Sequence, residues 1–115
     1  MSLKAGLNAF QVKDYGKAFE LLKPIADEGD AEAQCIIGNM YQLGLGLERN
    51  ILKAVEWYKK SAEKGYGVAS NNLGEILRVG EKDFIGIDLK ESVKWLRKAR
   101  EQGFMHGRLI EFENK

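Results

Sequence analysis

Apolar and polar residues alternate with a helical period in the middle of the chain, from residue 50 to residue 65. One face of this segment is apolar or small, and its residues recur at helical spacing: Ile51, Ala54, Val55, Tyr58 and Ala62. Charged residues occupy the opposite face, which is the pattern of an amphipathic helix with one side on a core. Asn50 can cap the first turn, and Gly65 supplies a left-handed residue that stops the helix. The segment therefore predicts one helix with defined ends.

The same pattern occurs three times along the chain. The phrase KAVEWYKKSAEKG at 53–65 returns as ESVKWLRKAREQG at 91–103. Glycines that end a helical pattern are spaced by 36 and then 38 residues: Gly29, Gly65 and Gly103. Polar helix starters have the same two spacings: Asp14, Asn50 and Asp88. Two independent landmarks give one period, which predicts an array of helix pairs in which each unit buries its apolar face against its neighbours.

Three further features of the repeat predict local structure. Asp88 with Glu91 three residues later predicts a capping box at the start of the last helix. The first helices, AEAQCIIGNMYQLG and VASNNLGEILRVG, align Gly38 with Gly74. A glycine inside a helix costs about 1 kcal/mol against alanine, so its recurrence indicates close helix packing.

Trp57 and Trp95 share one register of the second helix, which favours a packing role over a binding role.

Residues 30–65 resemble a Sel1-like repeat at nearly every position of its pattern. The matching residues are Ala33, Ile37, Gly38, Tyr41, Gly44, Gly46, Lys53, Ala54, Trp57, Tyr58, Lys60, Ala62 and Gly65. Residues 66–103 match with departures, since Leu77, Ser92 and Leu96 replace consensus residues and the turn GEKDFIGID is two residues longer. Residues 3–29 lack this turn, and Gly6, Ala9, Phe10, Asp14, Tyr15 and Ala18 make them more similar to a tetratricopeptide repeat.

The resemblance implies an all-α fold, a right-handed α-α superhelix (solenoid) of about three helix pairs plus a C-terminal helix. The expected units form one repeat domain over residues 1–115: 3–29, 30–65, 66–103 and a capping helix or truncated repeat at 104–115. Such families act as non-enzymatic adaptors or scaffolds, with the first helices lining a concave surface that binds a peptide or protein partner. Relatives with this fold rarely catalyse reactions.

The candidate partner-binding residues are of two kinds. By the tetratricopeptide resemblance, polar residues of the first helices face the concave groove: Asn39, Gln42, Asn71, Glu75 and Arg78. For each of them an ordinary solvated helix face is an equally good interpretation. The lengthened turn adds Phe84 and Ile85, and apolar residues in a loop need either a core to fold back on or a partner. The sequence leaves that choice open.

Composition excludes several other classes of function. The chain has 115 residues, 44% of them hydrophobic, and a formal net charge of +1, so the basic field expected of a nucleic-acid binder is missing. No apolar run is long enough to predict a membrane span or a secretory signal, so a soluble chain is expected and its localisation stays open. The single cysteine, Cys35, excludes an intramolecular disulfide. A lone histidine, His106, has no ligand cluster around it, so we expect no catalytic residue, metal or cofactor.

Two alternatives differ in class from an adaptor. The chain could be a structural, self-assembling segment of a larger protein, whose open ends dock on other repeats or on a second copy. A hydrolase is the weaker alternative, because no nucleophile with an adjacent base is present. A monomer is favoured over a homo-oligomer.

Overall fold

The computed structural model describes residues 3–82 and 85–104. Six α-helices connected by short turns occupy the described part: α1 Leu3–Gln11, α2 Tyr15–Asp27, α3 Ala31–Leu43, α4 Ile51–Glu63, α5 Gly67–Val79 and α6 Leu89–Glu101. They form the three predicted helix pairs. The C-terminal helix was predicted at 104–115, and residues 105–115 of it lie outside the described residues. The chain divides into two compact units, Met1–Trp57 and Tyr58–Lys115, which are described separately below.

The second helices begin at the predicted polar residues. The side chains of Asp14 and Asn50 accept hydrogen bonds from the backbone N–H groups three residues later, at 3.3 and 3.0 Å. Each bond satisfies one of the amides that the first helical turn leaves without an intrahelical partner. The predicted helix-ending glycines are left-handed, with φ of +107°, +93° and +102° at Gly29, Gly65 and Gly103.

At the start of α6 only half of the predicted capping box forms. Asp88 Oδ1 accepts from the Glu91 backbone N–H at 3.0 Å, as expected. The reciprocal bond is replaced, because the backbone N–H of Asp88 donates to the Leu77 carbonyl at 2.8 Å. The Glu91 carboxylate instead lies 3.8 Å from Lys94 Nζ. The end of the long turn is thus tied to α5 through the backbone.

The core of the first unit lies between α1, α2, α3 and the first half of α4. Its buried members are Ala9, Ala18, Leu22, Ala26, Ala33, Ile37, Met40 and Trp57. Gly6 lets α1 approach α2 closely, since a Cβ at Gly6 would lie 2.6 Å from Leu22 Cγ. Trp57 is 9% exposed, and Lys23 Nζ lies 5.6 Å from the centre of its ring. The predicted packing role of Trp57 is therefore confirmed.

The second unit packs α6 against α5 in the same way. Leu73, Leu96 and Trp95 are buried, Trp95 with 7% of its surface exposed. A Cβ at Gly74 would lie 2.7 Å from Leu96 Cγ and 3.1 Å from the Ser92 carbonyl oxygen. The Ser92 hydroxyl donates to the Gly74 carbonyl at 2.7 Å. The predicted packing roles of Gly74 and Trp95 are confirmed, and Gly38 is likewise buried in α3.

Each unit ties the end of a second helix to a side-chain amide. In the first unit Gln34 Nε2 donates to the Ala26 carbonyl at 3.0 Å. In the second unit the equivalent carbonyl, that of Ala62, accepts from Gln102 Nε2 at 3.4 Å. Ser70, which aligns with Gln34, donates its hydroxyl to Gln102 Oε1 at 2.6 Å. The same backbone acceptor is therefore served by different residues in the two units.

Candidate functional site

The polar face of α5 contains three of the predicted binding residues. Asn71, Glu75 and Arg78 are four and three residues apart, a spacing that aligns them along one side of a helix. All three are half-buried. Arg78 Nε donates to Glu75 Oε1 at 2.9 Å, and the two side chains are 26% and 31% exposed. The two charges neutralise each other, so α5 presents a hydrogen-bonding stripe rather than a charged one.

The sequence reading missed this ion pair, although its signal was present. A Glu and an Arg three residues apart on a helix lie within reach of each other. Asn71, one turn before Glu75, keeps an amide with both donor and acceptor groups. This stripe can therefore offer a partner neutral hydrogen bonds, while its ion pair fixes the direction of the two long side chains.

On α3 the predicted residues are Asn39 and Gln42, both half-buried. The backbone carbonyl of Gln42 accepts from Arg49 Nε at 2.9 Å, so the end of α3 is held to the turn that follows it. Asn39 and Gln42 are three residues apart and lie on adjacent turns of the helix. By the 36-residue spacing, Asn39 and Gln42 occupy the positions of Glu75 and Arg78, so α3 has two amide side chains where α5 has an ion pair.

The lengthened turn of the second unit folds back on itself. Glu81 and Ile85 form an isolated antiparallel bridge, with N···O distances of 2.7 and 2.8 Å. Ile85 is half-buried, whereas Ile87 is 65% exposed. Phe84 lies outside the described residues. The backbone of Ile85 is thus paired within the turn, and the choice between a core contact and a partner contact for the apolar turn residues stays a prediction.

Cys35 is placed for packing. It is 2% exposed in α3. Burial, with a smaller contribution from Glu32, raises the pKa of its thiol from 9.0 to about 12. Because the thiolate is the nucleophilic form, the raised pKa disfavours the reactive form of this side chain at neutral pH.

The described residues contain neither a metal-ligand cluster nor a membrane-spanning helix. Within 3–82 and 85–104 no three His, Cys, Asp or Glu side chains are grouped as metal ligands. None of the helices in this part of the chain is long and apolar enough to cross a membrane. His106 lies outside it.

One feature of the first unit was not anticipated from the sequence. A cleft of about 470 Å³ opens beside the turn between α3 and α4, and its lining includes Tyr41 and Lys53. Both residues are consensus positions of the repeat, so the pattern gave no reason to assign them more than a structural role. Only the folded turn brings them together.

Comparison with known proteins identifies the repeats. The family model described as "Sel1 repeat" matches three times, at residues 4–30, 31–66 and 67–104. The chain belongs to the Sel1 repeat family. The first of these Sel1 repeats is the segment whose pattern is similar to a tetratricopeptide repeat.

Two solved structures resemble this Sel1 chain. A Sel1 repeat protein from Oxalobacter formigenes has a TM-score of 0.81 and 37% identity, over 88% of this chain and 41% of that one. A protective antigen of uropathogenic Escherichia coli strains that displays an SLR fold has a TM-score of 0.70 and 30% identity, over 75% of this chain and 18% of that one. With the six helices, these neighbours confirm the predicted all-α solenoid class.

The curated relatives are much longer proteins. Chitin synthase regulatory factor 3 of Schizosaccharomyces pombe is 33% identical over 76% of this Sel1 chain. The ERAD-associated E3 ubiquitin-protein ligase component HRD3A of Arabidopsis thaliana is 40% identical over 54% of it. The chain spans 9% of the length of each. Sel1 repeats form a scaffold-type helical fold that typically mediates protein–protein interaction.

Proposed function

We propose that this Sel1 chain is a non-enzymatic protein-interaction module that binds a peptide or protein partner through the polar faces of its first helices. The observation that supports the proposal is the half-buried stripe on α5, where Asn71 lies one turn from the paired Glu75 and Arg78. In the solenoid fold implied by the family, first helices line the concave surface. Asn39 and Gln42 supply the corresponding groups on α3.

The stripe on α5 suits recognition of an extended backbone. An amide side chain such as that of Asn71 carries one acceptor and two donors, which match the N–H and C=O groups of a peptide. Glu75 and Arg78 already restrain each other, so less side-chain entropy is lost when a partner binds. Binding is therefore polar, modest per contact and weakly dependent on salt, since the net charge is only +1.

The experiment needs a partner first. Capture on the immobilised chain, followed by mass spectrometry, supplies candidates, and calorimetry then measures the affinity of each purified candidate. Because a neutral hydrogen bond contributes about 0.5 to 1.5 kcal/mol, the Asn39→Ala, Asn71→Ala double variant should bind about tenfold more weakly while its melting temperature stays nearly unchanged.

The control is a second double variant, Phe84→Ser with Ile85→Ser, which replaces two apolar residues of the lengthened turn by polar ones. If only this variant loses affinity, the binding site is the turn and the first-helix proposal is wrong.

Sedimentation over a range of concentrations tests the monomeric state, because end-to-end assembly would raise the mass. A screen for esterase and peptidase activity on the pure protein tests its non-enzymatic character.

A further inference from the structure

The cleft of the first unit has an aromatic wall. Phe19 and Tyr41 meet edge to face, with ring centres 6.3 Å apart and planes at 88°. Both side chains are partly buried and pack against the core of this unit. The volume of about 470 Å³ lies in the range of about 300 to 1,000 Å³ that is typical of ligand sites.

Two glycines keep the cleft open and define its shape. Gly16 and Gly46 both line it. Nothing lies within 4 Å of a Cβ placed on Gly16, so the absence of a side chain there leaves empty space. Gly46 has a φ of +75°, and its Cβ would lie 2.7 Å from Tyr15 Cβ. The turn is therefore pressed against the start of α2, and its backbone forms one side of the cleft.

The polar groups that line the cleft differ in whether they already have hydrogen-bond or ion-pair partners. Asn50 is engaged: its backbone N–H donates to the Tyr41 carbonyl at 2.8 Å, and its side chain caps α4. Lys53 Nζ lies 5.5 Å from the centre of the Tyr41 ring, and no carboxylate among residues 3–82 and 85–104 pairs with it. Glu48, also in the lining, has no ion-pair partner in that part of the chain. The cleft thus combines an apolar wall with one available cation and one available anion.

We propose that this cleft binds an apolar side chain of a partner peptide that has a single acidic residue next to it. The apolar side chain lies against Phe19 and Tyr41, and the adjacent carboxylate pairs with Lys53. Glu48 repels a second carboxylate, so peptides with one acid are preferred to polyacidic ones. This site uses residues different from those of the proposed function, and either can fail without the other.

The third repeat provides an internal comparison. Its register places Leu77 where the second repeat has Tyr41, and Glu91 where it has Lys53. Both the aromatic wall and the cation are therefore lost there, and Glu91 lies near Lys94 instead. The proposed site combines Phe19 of α2 with Tyr41 and Lys53 of the second repeat, and the third repeat lacks the counterparts of the last two.

The test uses capped tetrapeptides and backbone amide NMR spectra of the whole chain. Gly-Phe-Asp-Gly should shift the amide signals of Tyr41, Gly46 and Lys53 at millimolar concentration. It should bind about two- to fivefold more tightly than Gly-Phe-Asn-Gly or Asp-Phe-Asp-Gly, which is the size of an exposed ion pair. Gly-Ala-Asp-Gly should bind more weakly still, because it lacks the ring. Equal shifts with the Asp and Asn peptides, or no shifts near the cleft, would overturn the proposal.

Charge reversal separates recognition from folding. Lys53 is exposed, so Lys53→Glu should leave the melting temperature nearly unchanged while reversing the preference, with Gly-Phe-Lys-Gly now binding more tightly than Gly-Phe-Asp-Gly. Lys59→Glu, at an exposed position of the same helix, is the matched control and should keep the original preference. If both variants change the preference alike, the effect is one of net charge and the site is refuted.

Discussion

Gly74 and Leu96 approach so closely that no side chain fits between them. A Cβ on Gly74 would lie 2.7 Å from both Cγ and Cδ2 of Leu96, and Leu96 is fully buried. The Ser92 carbonyl oxygen lies 3.1 Å from the same point, so part of the obstacle is backbone, which cannot rotate away. The glycine is therefore required by the packing of α5 on α6.

Overpacking a filled core costs about 1 to 3 kcal/mol, and the backbone contact places Gly74→Ala in the upper part of that range. The gain of about 1 kcal/mol in helix propensity offsets part of this cost, so the variant should be less stable by about 1 to 2 kcal/mol. Gly16→Ala in α2 is the control, because nothing lies within 4 Å of its Cβ, and it should be neutral or slightly stabilising. Chemical denaturation measures both, and a Gly74→Ala variant as stable as the parent would refute the packing argument.

Two left-handed glycines, Gly46 between α3 and α4 and Gly65 after α4, allow a similar paired test. Gly46 and Gly65 both have positive φ, +75° and +93°, but a Cβ on Gly46 would lie 2.7 Å from Tyr15 Cβ whereas nothing lies within 4 Å of one on Gly65. Both alanine variants carry the backbone strain of a left-handed residue. Gly46→Ala should cost at least about 1 kcal/mol more than Gly65→Ala, because it also overpacks the turn. Equal losses in denaturation would mean that the turn moves freely off α2.

Trp95 is expected to stabilise the fold rather than a complex. Trp95→Ala should cost about 3 to 5 kcal/mol, as for other buried large aromatic residues. Lys94 and Lys98 cover the ring, at 5.4 and 5.7 Å from its centre, and Lys94→Met should cost no more than about 1 kcal/mol. Thermal melting distinguishes the two roles, since an exposed binding residue would leave the transition nearly unchanged.

The raised pKa of Cys35 predicts slow chemistry in the folded state. With a pKa of about 12, about one thiol in ten thousand is ionised at pH 8. Reaction with a thiol reagent should be on the order of a thousandfold slower than in the unfolded chain, whose thiol titrates near 9.0. Rapid labelling of the native protein would show that the α3 core opens readily.

The same shift sets the sign of a pH effect on stability. The folded state holds the thiol proton more tightly, so its contribution is fully present below pH 9.0 and is lost as the pH rises toward about 12. The free energy of unfolding should fall by up to about 1.4 kcal/mol per pH unit in this range. Other groups also titrate there, so the measurement is the difference in slope between the parent and Cys35→Ala.

The sequence predicted the helical repeat well because its signals are local. Asp14 and Asn50 cap helices through atoms three residues away, and Gly29 and Gly65 take the left-handed conformation for reasons of backbone sterics. The pattern of such residues is readable without knowing any tertiary contact. The half-formed capping box is the exception, since the bond from Asp88 to Leu77 depends on where the long turn returns to α5.

The candidate sites were less predictable because they depend on distances between elements. Helical spacing alone could have predicted that Glu75 pairs with Arg78. The structure was needed to show that the pair forms and leaves neither charge unpaired. The cleft was not accessible, because Gly16, Tyr41 and Lys53 come from three different helices. The consensus roles of Tyr41 and Lys53 gave no sign that these residues line a cleft.

The carbonyls of Ala26 and Ala62 have an implication for how such arrays diverge. A backbone acceptor survives every substitution, so the duplicated unit inherits it unchanged, while the donor can drift from Gln34 to Gln102 along the chain. Selection then acts on whether the carbonyl receives a hydrogen bond, and not on which residue donates it. An alignment that compares residues position by position would count this hydrogen bond as lost between the repeats, because Gln34 aligns with Ser70. A consensus sequence built from such an alignment would leave the hydrogen bond out of engineered arrays.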